Sequence, residues 1–195
     1  HGRGSIVWSD GRKYKGDFRH DYISGQGNLI YPDGMSYEGE FQNGEAQGHG
    51  TLINSTGIYV GAFKQGNRHG SGEMLFPDGT RYVGAFHKNR MEGEGQMYFN
   101  DGRILSGVFH HGSLKEKGRL DFPDGRRYEG EFESGKLQGQ GSLKFPDGRN
   151  YIGDFRENLM DGEGRFSFKD GRLYEGQLKK DLPQGKGRWR FADGR

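Results

Sequence analysis

With 195 residues, of which 38 are glycine and only 30 % hydrophobic, the chain is too poor in apolar side chains for an ordinary globular core. The absence of cysteine excludes disulfides and thiolate zinc sites, and no apolar run approaches the ~20 residues a bilayer-spanning helix needs. A net charge of +2, from 29 basic and 27 acidic side chains, is far from the basic excess of a nucleic-acid-binding module, so no nucleic-acid partner is expected.

The first stretch, residues 1–13, carries Gly2, Gly4, Trp8 and Asp10-Gly11 and is part of a unit that recurs to the end of the chain. Further units begin at Tyr14, Tyr37, Tyr59, Tyr82, Leu105, Tyr128, Tyr151 and Tyr174, 23 residues apart except for 22 between Tyr37 and Tyr59. A fixed period of this size marks a repeat array in which each unit buries its face on its neighbours. Aromatic residues at 13 % argue against disorder despite the glycine content. The expectation is one continuous array over 1–195. It starts inside a unit and stops on a turn, as a piece of a longer repeat protein would.

The unit at Tyr128 shows the pattern most plainly. Tyr128, Gly130 and Phe132 alternate with Glu129 and Glu131; Gly141, Leu143 and Phe145 alternate with Ser142 and Lys144. Period two means strand. Between the two strands stands Gly, Asn or Asp (Asp21, Gly44, Gly66, Asn89, Gly112, Gly135, Asn158, Asp181), which suits a hairpin turn ending in a left-handed residue. Pro-Asp-Gly turns such as Pro123-Asp124-Gly125 lead into the next unit, and the last turn glycine is Gly194. The fold class is therefore all-β: an elongated single-layer antiparallel meander of hairpins, a twisted rod. Sixteen strands at ~4.8 Å would span roughly 75–80 Å.

One face carries an aromatic stripe: Tyr37, Phe41, Tyr59, Phe63, Phe76, Tyr82, Phe86 and Phe99, with Leu52, Met74 and Met97 between. Most of it must be core, but a single layer has nothing to cover it. It therefore also reads as an open groove for a partner's amphipathic helix. The opposite face is apolar in the first five units, with Ile30, Ile53, Val60, Leu75, Val83, Tyr98 and Val108, and mostly charged later. Such a patch is a second partner surface or local packing.

Arginines follow the turn glycines: Arg12, Arg103, Arg126, Arg149, Arg172 and Arg195, with Arg127 beside them. Arg103, Arg126, Arg127, Arg149 and Arg172 could meet anionic lipid headgroups, though pairing with glutamates of the following strand reads better. The last unit offers Tyr174, Leu178, Trp189 and Phe191 on an open sheet edge, a candidate homodimer contact. Two units depart from the pattern. The second closes with Asn54-Ser55-Thr56-Gly57, so its turn should differ. The fifth has Leu105 for Tyr and Glu116 for Gly, either a weak joint or simple drift.

No catalytic, metal or cofactor site is expected. His1, His20, His49, His69, His87, His110 and His111 are scattered, with His20, His49, His69 and His110 in or beside the loops of separate units. The Gly-Gln-Gly runs precede strands and lack the lysine and the helix that a phosphate loop needs.

The recurring YEGEF…G…G.G.L.FPDG resembles the MORN repeat (membrane occupation and recognition nexus) over the whole chain. The resemblance implies a β-hairpin rod and several settings: junctional membrane proteins, plant phosphoinositide kinases, ciliary radial spokes and cytoskeletal scaffolds. An array without an appended domain looks most like the scaffolds. The expected function is a non-enzymatic scaffold or adaptor. It would dimerise through its C-terminal repeats and bind a cytoskeletal or motor protein in the cytoplasm, at the cytoskeleton or at a membrane. Phosphoinositide binding, and service as a regulatory arm of an enzyme, are the alternatives.

Overall fold

A computed structural model of the chain describes residues 1–193; Gly194 and Arg195 lie outside the described residues. The chain divides into two compact units, His1–Asn100 and Asp101–Arg195. Every element among the described residues is a strand, and the strands pair antiparallel. The first unit holds β1 (Gly2–Val7), β2 (Lys13–Arg19), β3 (Tyr22–Ile30), β4 (Ser36–Gln42), β5 (Glu45–Asn54), β6 (Gly57–Lys64), β7 (Asn67–Leu75), β8 (Arg81–His87) and β9 (Arg90–Tyr98). The second holds β10 (Ile104–His110), β11 (Ser113–Asp121), β12 (Arg127–Glu133), β13 (Lys136–Lys144), β14 (Asn150–Arg156), β15 (Leu159–Ser167), β16 (Leu173–Lys179) and β17 (Leu182–Arg190). Within each unit, ladder order follows chain order. Among the described residues seventeen strands stand where sixteen were expected, because the partial first repeat contributes β1.

The turn inside each hairpin is tighter than its composition suggests. Both central residues are left-handed, as in Lys88 (φ 47) and Asn89 (φ 69), or Glu157 (φ 52) and Asn158 (φ 72). That is a type I′ turn, whose twist matches the twist of the flanking strands. Only its second residue was marked in the sequence by type. The first is His, Asn, Gln, Lys, Ser or Glu and carries no such signal. Between hairpins, Pro-Asp-Gly forms a three-residue loop: Gly34 N donates to Tyr31 O (3.1 Å), Tyr31 N to Met35 O (2.8 Å), and Met35 N to the Asp33 carboxylate (2.9 Å). The turn that closes the repeat beginning at Tyr37 is shorter: Asn54 pairs with Gly57, and Asn54 Oδ1 accepts from Thr56 N (2.8 Å).

Core forms on one face of a single layer because glycine pairs leave the backbone bare. Gly130 and Gly141 face each other across β12 and β13, and the Tyr128 ring lies on them; a methyl at Gly141 would sit 2.4 Å from Tyr128 Cε2. The ring is held at its far end, where its hydroxyl donates to Glu131 O (2.8 Å). Tyr14, Tyr37, Tyr59, Tyr82, Tyr151 and Tyr174 repeat that bond to the carbonyl three residues on. Tyr14, Tyr37, Tyr59 and Tyr128 each meet two phenylalanines edge-on, their own and the next hairpin's: Tyr37 with Phe41 (4.9 Å) and Phe63 (4.8 Å), Tyr59 with Phe63 (5.2 Å) and Phe86 (4.8 Å). The core is thus a zigzag of interlocked rings.

The ladder shifts register just after the first glycine of each hairpin, as between Gly130 and Phe132. The bulge lies on the second strand and contains a left-handed residue: Gly25 (φ 104), Gly48 (φ 66), Gly139 (φ 66) and, in the fifth unit, Glu116 (φ 67). Where an acid or amide stands opposite, it accepts the freed N–H: Asp17 from Gln26 N (2.9 Å), Glu40 from His49 N (3.0 Å), Asp154 from Glu163 N (2.8 Å). Successive hairpin loops are tied as well. Asn158 N donates to Leu137 O (3.1 Å) and Asn158 Oδ1 accepts from Leu137 N (2.9 Å); Asp181 repeats this with Met160, and Asn89 with Arg68. The asparagines and aspartates at the turns therefore do two jobs: they tolerate positive φ, and they stitch one hairpin to the next.

Candidate interaction grooves

Most of the aromatic stripe is core. Tyr37, Phe41, Tyr59, Phe63, Tyr82 and Phe86 are no more than 5 % exposed, while Phe76 and Phe99 are half-buried. The surface open to a partner is displaced from the tyrosines, towards the residue opposite each phenylalanine and towards the inter-hairpin turns. In the second unit this makes a groove of 690 Å³, lined by Leu137, Leu143, Phe145, Met160, Phe168 and Trp189 among others. In the first unit a groove of 530 Å³ is lined by Tyr31, Met35, Leu52 and Phe63, over the edges of Tyr37 and Phe41. An apolar concavity with a few polar groups at its rim is the usual form of a binding site.

Arg103, Arg126 and Arg149 of the arginine row line the rim of the second unit's groove. Arg126 stacks over Phe122 (4.6 Å), Arg149 over Phe145 (4.6 Å) and Arg172 over Phe168 (4.9 Å). Each pairs with the turn aspartate two residues earlier: Arg126 with Asp124 (2.8 Å), Arg149 with Asp147 (2.8 Å), Arg172 with Asp170 (2.8 Å), as does Arg103 with Asp101 (2.7 Å). Glutamates of the following strand, the partners expected from sequence, do not take these arginines, because the turn folds the aspartate back under the guanidinium. Arg127 pairs with Asp121 (2.8 Å), which Arg119 shares. The carboxyls of Asp124, Asp147 and Asp170 are held below the ordinary carboxylate range, first by the backbone N–H of the following arginine; slight burial opposes this and the guanidinium adds to it.

The outer face of the first unit carries a transverse row of neighbours: Ile30, Ser36, Ile53, Ile58, Leu75, Arg81 and Tyr98. Ile30, Ile53 and Leu75 are 41–45 % exposed, with Val60 and Val83 exposed in the adjacent row. The corresponding row of the second unit runs Ile104, Asp121, Arg127, Lys144, Asn150, Ser167, Leu173 and Arg190, charged or polar except for Ile104 and Leu173. Val108 on β10 and Ile152 on β14 are exposed apolar residues of that unit's outer face. On the last strands, Tyr174 and Leu178 are 4 % and 3 % exposed and belong to the core, so they cannot supply an edge contact. Trp189 and Phe191, at 41 % and 42 %, remain accessible.

Sequence reading passed over Arg68. The residue opposite each phenylalanine is Ile23, Ala46, Arg68, Met91, Leu114, Leu137 and Met160, and opposite Leu178 it is Pro183. One charged residue in an otherwise apolar register was a visible signal. It needed the bulge to be placed correctly before the column could be aligned.

A search of the curated proteins finds no match. Among solved structures, the TCP domain of SAS-4 (dCPAP) of Drosophila melanogaster, in complex with a proline-rich motif of Ana2 (dSTIL), is similar at a TM-score of 0.51 and 12 % identity, over 91 % of this chain and 90 % of that one. A CPAP G-box domain structure gives a TM-score of 0.37 at 14 % identity, over 100 % of this chain and 96 % of that one. The first likeness shows the fold alone. The sequence profile of the MORN repeat family matches residues 14–36, 37–58, 59–81, 82–102, 128–148, 151–171 and 174–194, omitting the divergent fifth unit. The chain belongs to the MORN repeat family.

Proposed function

We propose that the chain is a non-enzymatic scaffold that holds segments of partner proteins in its apolar grooves, within a cytoskeletal or membrane-associated assembly. The observation that carries this is the 690 Å³ groove of the second unit. Its apolar floor is fixed by the ring zigzag beneath it, so it is formed before any partner arrives. The solved structure of similar fold is a complex with a peptide motif of another protein, which agrees with a peptide-holding role. The arginine rim favours a protein over a membrane: each guanidinium is already matched by its own aspartate, leaving little net charge to attract a lipid surface.

Selection of displayed random peptides on the whole chain tests this reading. Peptides held in the second unit's groove should lose binding to a Phe145→Glu/Phe168→Glu variant, and those in the first unit's groove to a Met35→Glu/Leu52→Glu variant, each with unchanged circular dichroism. Peptides indifferent to both changes would sink it. Sedimentation with phosphoinositide vesicles should show no binding beyond that to neutral ones. Dimerisation through β17 would use Trp189 and Phe191; a Trp189→Lys/Phe191→Lys variant that scatters light at the same mass as the parent would rule that contact out.

A further inference from the structure

The first unit's groove contains a cation that nothing in the fold requires. Arg68 rises from β7 into the aromatic zigzag, its guanidinium 5.7 Å from the Tyr59 ring centre and 5.8 Å from that of Phe86. One terminal nitrogen donates to Asn89 O (2.8 Å), and the other faces only the Met74 thioether (3.6 Å). Its buried Nε has no hydrogen-bond partner. A guanidinium carries five donors, and here one strong acceptor serves them. No carboxylate pairs with it among the described residues; Glu45, also on the groove wall, stays exposed at the rim. Burial accordingly pushes the Arg68 pKa down.

A half-buried cation without a counter-ion costs stability, and every other hairpin fills this position with an apolar or small residue. The two grooves therefore differ in chemistry. The second unit's floor is apolar throughout at this register, with Leu137 and Met160. The first unit's floor presents positive charge inside an apolar cleft.

We infer that the groove of the first unit selects a partner segment carrying an aspartate or glutamate among apolar residues, and that Arg68 receives that carboxylate. The apolar residues would lie on Tyr31, Met35, Leu52 and Phe63. The carboxylate would accept from the terminal nitrogen now facing Met74 and, with a small rotation of the guanidinium, from Nε. Binding would supply the missing counter-ion, so affinity would come from a pairing the free protein lacks. This inference rests on the groove-binding reading above and gives it a specificity.

The test uses the whole chain and display-selected peptides of about a dozen residues. Peptides that compete for the first groove are expected to carry an acid at one fixed position. Arg68→Met, which installs the side chain found at Met91 and Met160, should weaken such a peptide about tenfold or more, as should replacing its acid by the amide. The two changes together should cost little more than either alone. The thermal midpoint of Arg68→Met should stay the same or rise, which separates lost recognition from lost folding. First-groove peptides without a shared acid, or an acidic peptide indifferent to Arg68→Met, would overturn the inference while leaving groove binding standing. Peptides confined to the second groove, sensitive to Phe145→Glu/Phe168→Glu alone, would do the same. No enriched peptide at all would remove both.

Discussion

Leu114 lies over Gly118. In the fifth unit, where Leu105 stands in place of the tyrosine, the Leu114 side chain crosses from the opposite strand and covers the bare glycine pair; a methyl at Gly118 would meet Leu114 Cδ2 at 2.6 Å, and one at Gly107 would meet Cδ1 at the same distance. Leu105, Phe109 and Leu114 are all at most 8 % exposed, so the unit is repacked and its core is closed. Leu105→Tyr should then collide with Leu114 and cost about 1–3 kcal/mol, while Leu105→Tyr with Leu114→Ala should recover most of it. Urea unfolding of the two variants measures this. Equal midpoints for the single and double variants would mean that Leu114 does not occupy the tyrosine's place.

Gly141→Ala probes the same contact in a regular unit. The added methyl would stand 2.4 Å from Cε2 of a Tyr128 ring that is 0 % exposed and pinned by its bond to Glu131 O. The ring cannot retreat without breaking that bond and its contacts with Phe132 and Phe155. A loss of roughly 2–3 kcal/mol is expected. Gly135→Ala, at an open turn where a methyl would touch nothing, pays only for its left-handed φ of 77 and should lose about 1 kcal/mol. Denaturant midpoints in the reverse order would contradict the packing described above.

Period-two alternation and in-phase glycines gave the strands, hairpins and antiparallel order, because these depend on local pattern. The bulge was not legible. Its shift between Gly130 and Phe132 leaves the alternation before it and after it intact, so no single window of residues reports it. That concealed which residue faces each phenylalanine, and with it the oddity of Arg68. The arginines' partners were missed for a related reason. A strand-to-strand register suggests glutamates, whereas Asp124 reaches Arg126 through the turn between them. The burial of Tyr59 or Phe86 also exceeds what a bare single layer implies, since it arises from rings closing on rings of the next hairpin.

Glu116 should be replaceable at a gain. It adopts φ 67 at the bulge, where Gly139 has φ 66 and the backbone favours glycine. Its side chain is exposed, so removal forfeits no core packing. Glu116→Gly is expected to raise stability by about 0.5–1 kcal/mol, the left-handed penalty less the extra freedom of glycine in the unfolded chain. The comparison of thermal midpoints decides it. A loss of stability would show that Glu116 makes a compensating interaction in the fold.

The buried tyrosines set an alkaline limit. Burial above all pushes Tyr37 and Tyr59 up to about 12; the Glu40 charge adds to the rise at Tyr37, and Arg68 opposes it at Tyr59. Tyr82 is raised to about 12 in the same way, and Tyr128 and Tyr151 are raised as well. The unfolded chain releases these protons near pH 10, so the folded state binds them more tightly. The stability contributed by the neutral rings is fully present below about pH 10 and is lost as pH rises towards 12. Unfolding followed by circular dichroism should therefore coincide with the appearance of phenolate absorbance from these residues. Tyr59→Phe keeps the ring over Gly61 and Gly72, loses the bond to Ala62 O at neutral pH, and removes one of the titrating groups. It should be less stable than the parent at pH 7 by about 1 kcal/mol, with the difference shrinking above pH 10. Buried phenolates that form while the strand signal persists would mean the rings ionise in place, and that the bare glycine surface tolerates charge where this packing forbids it.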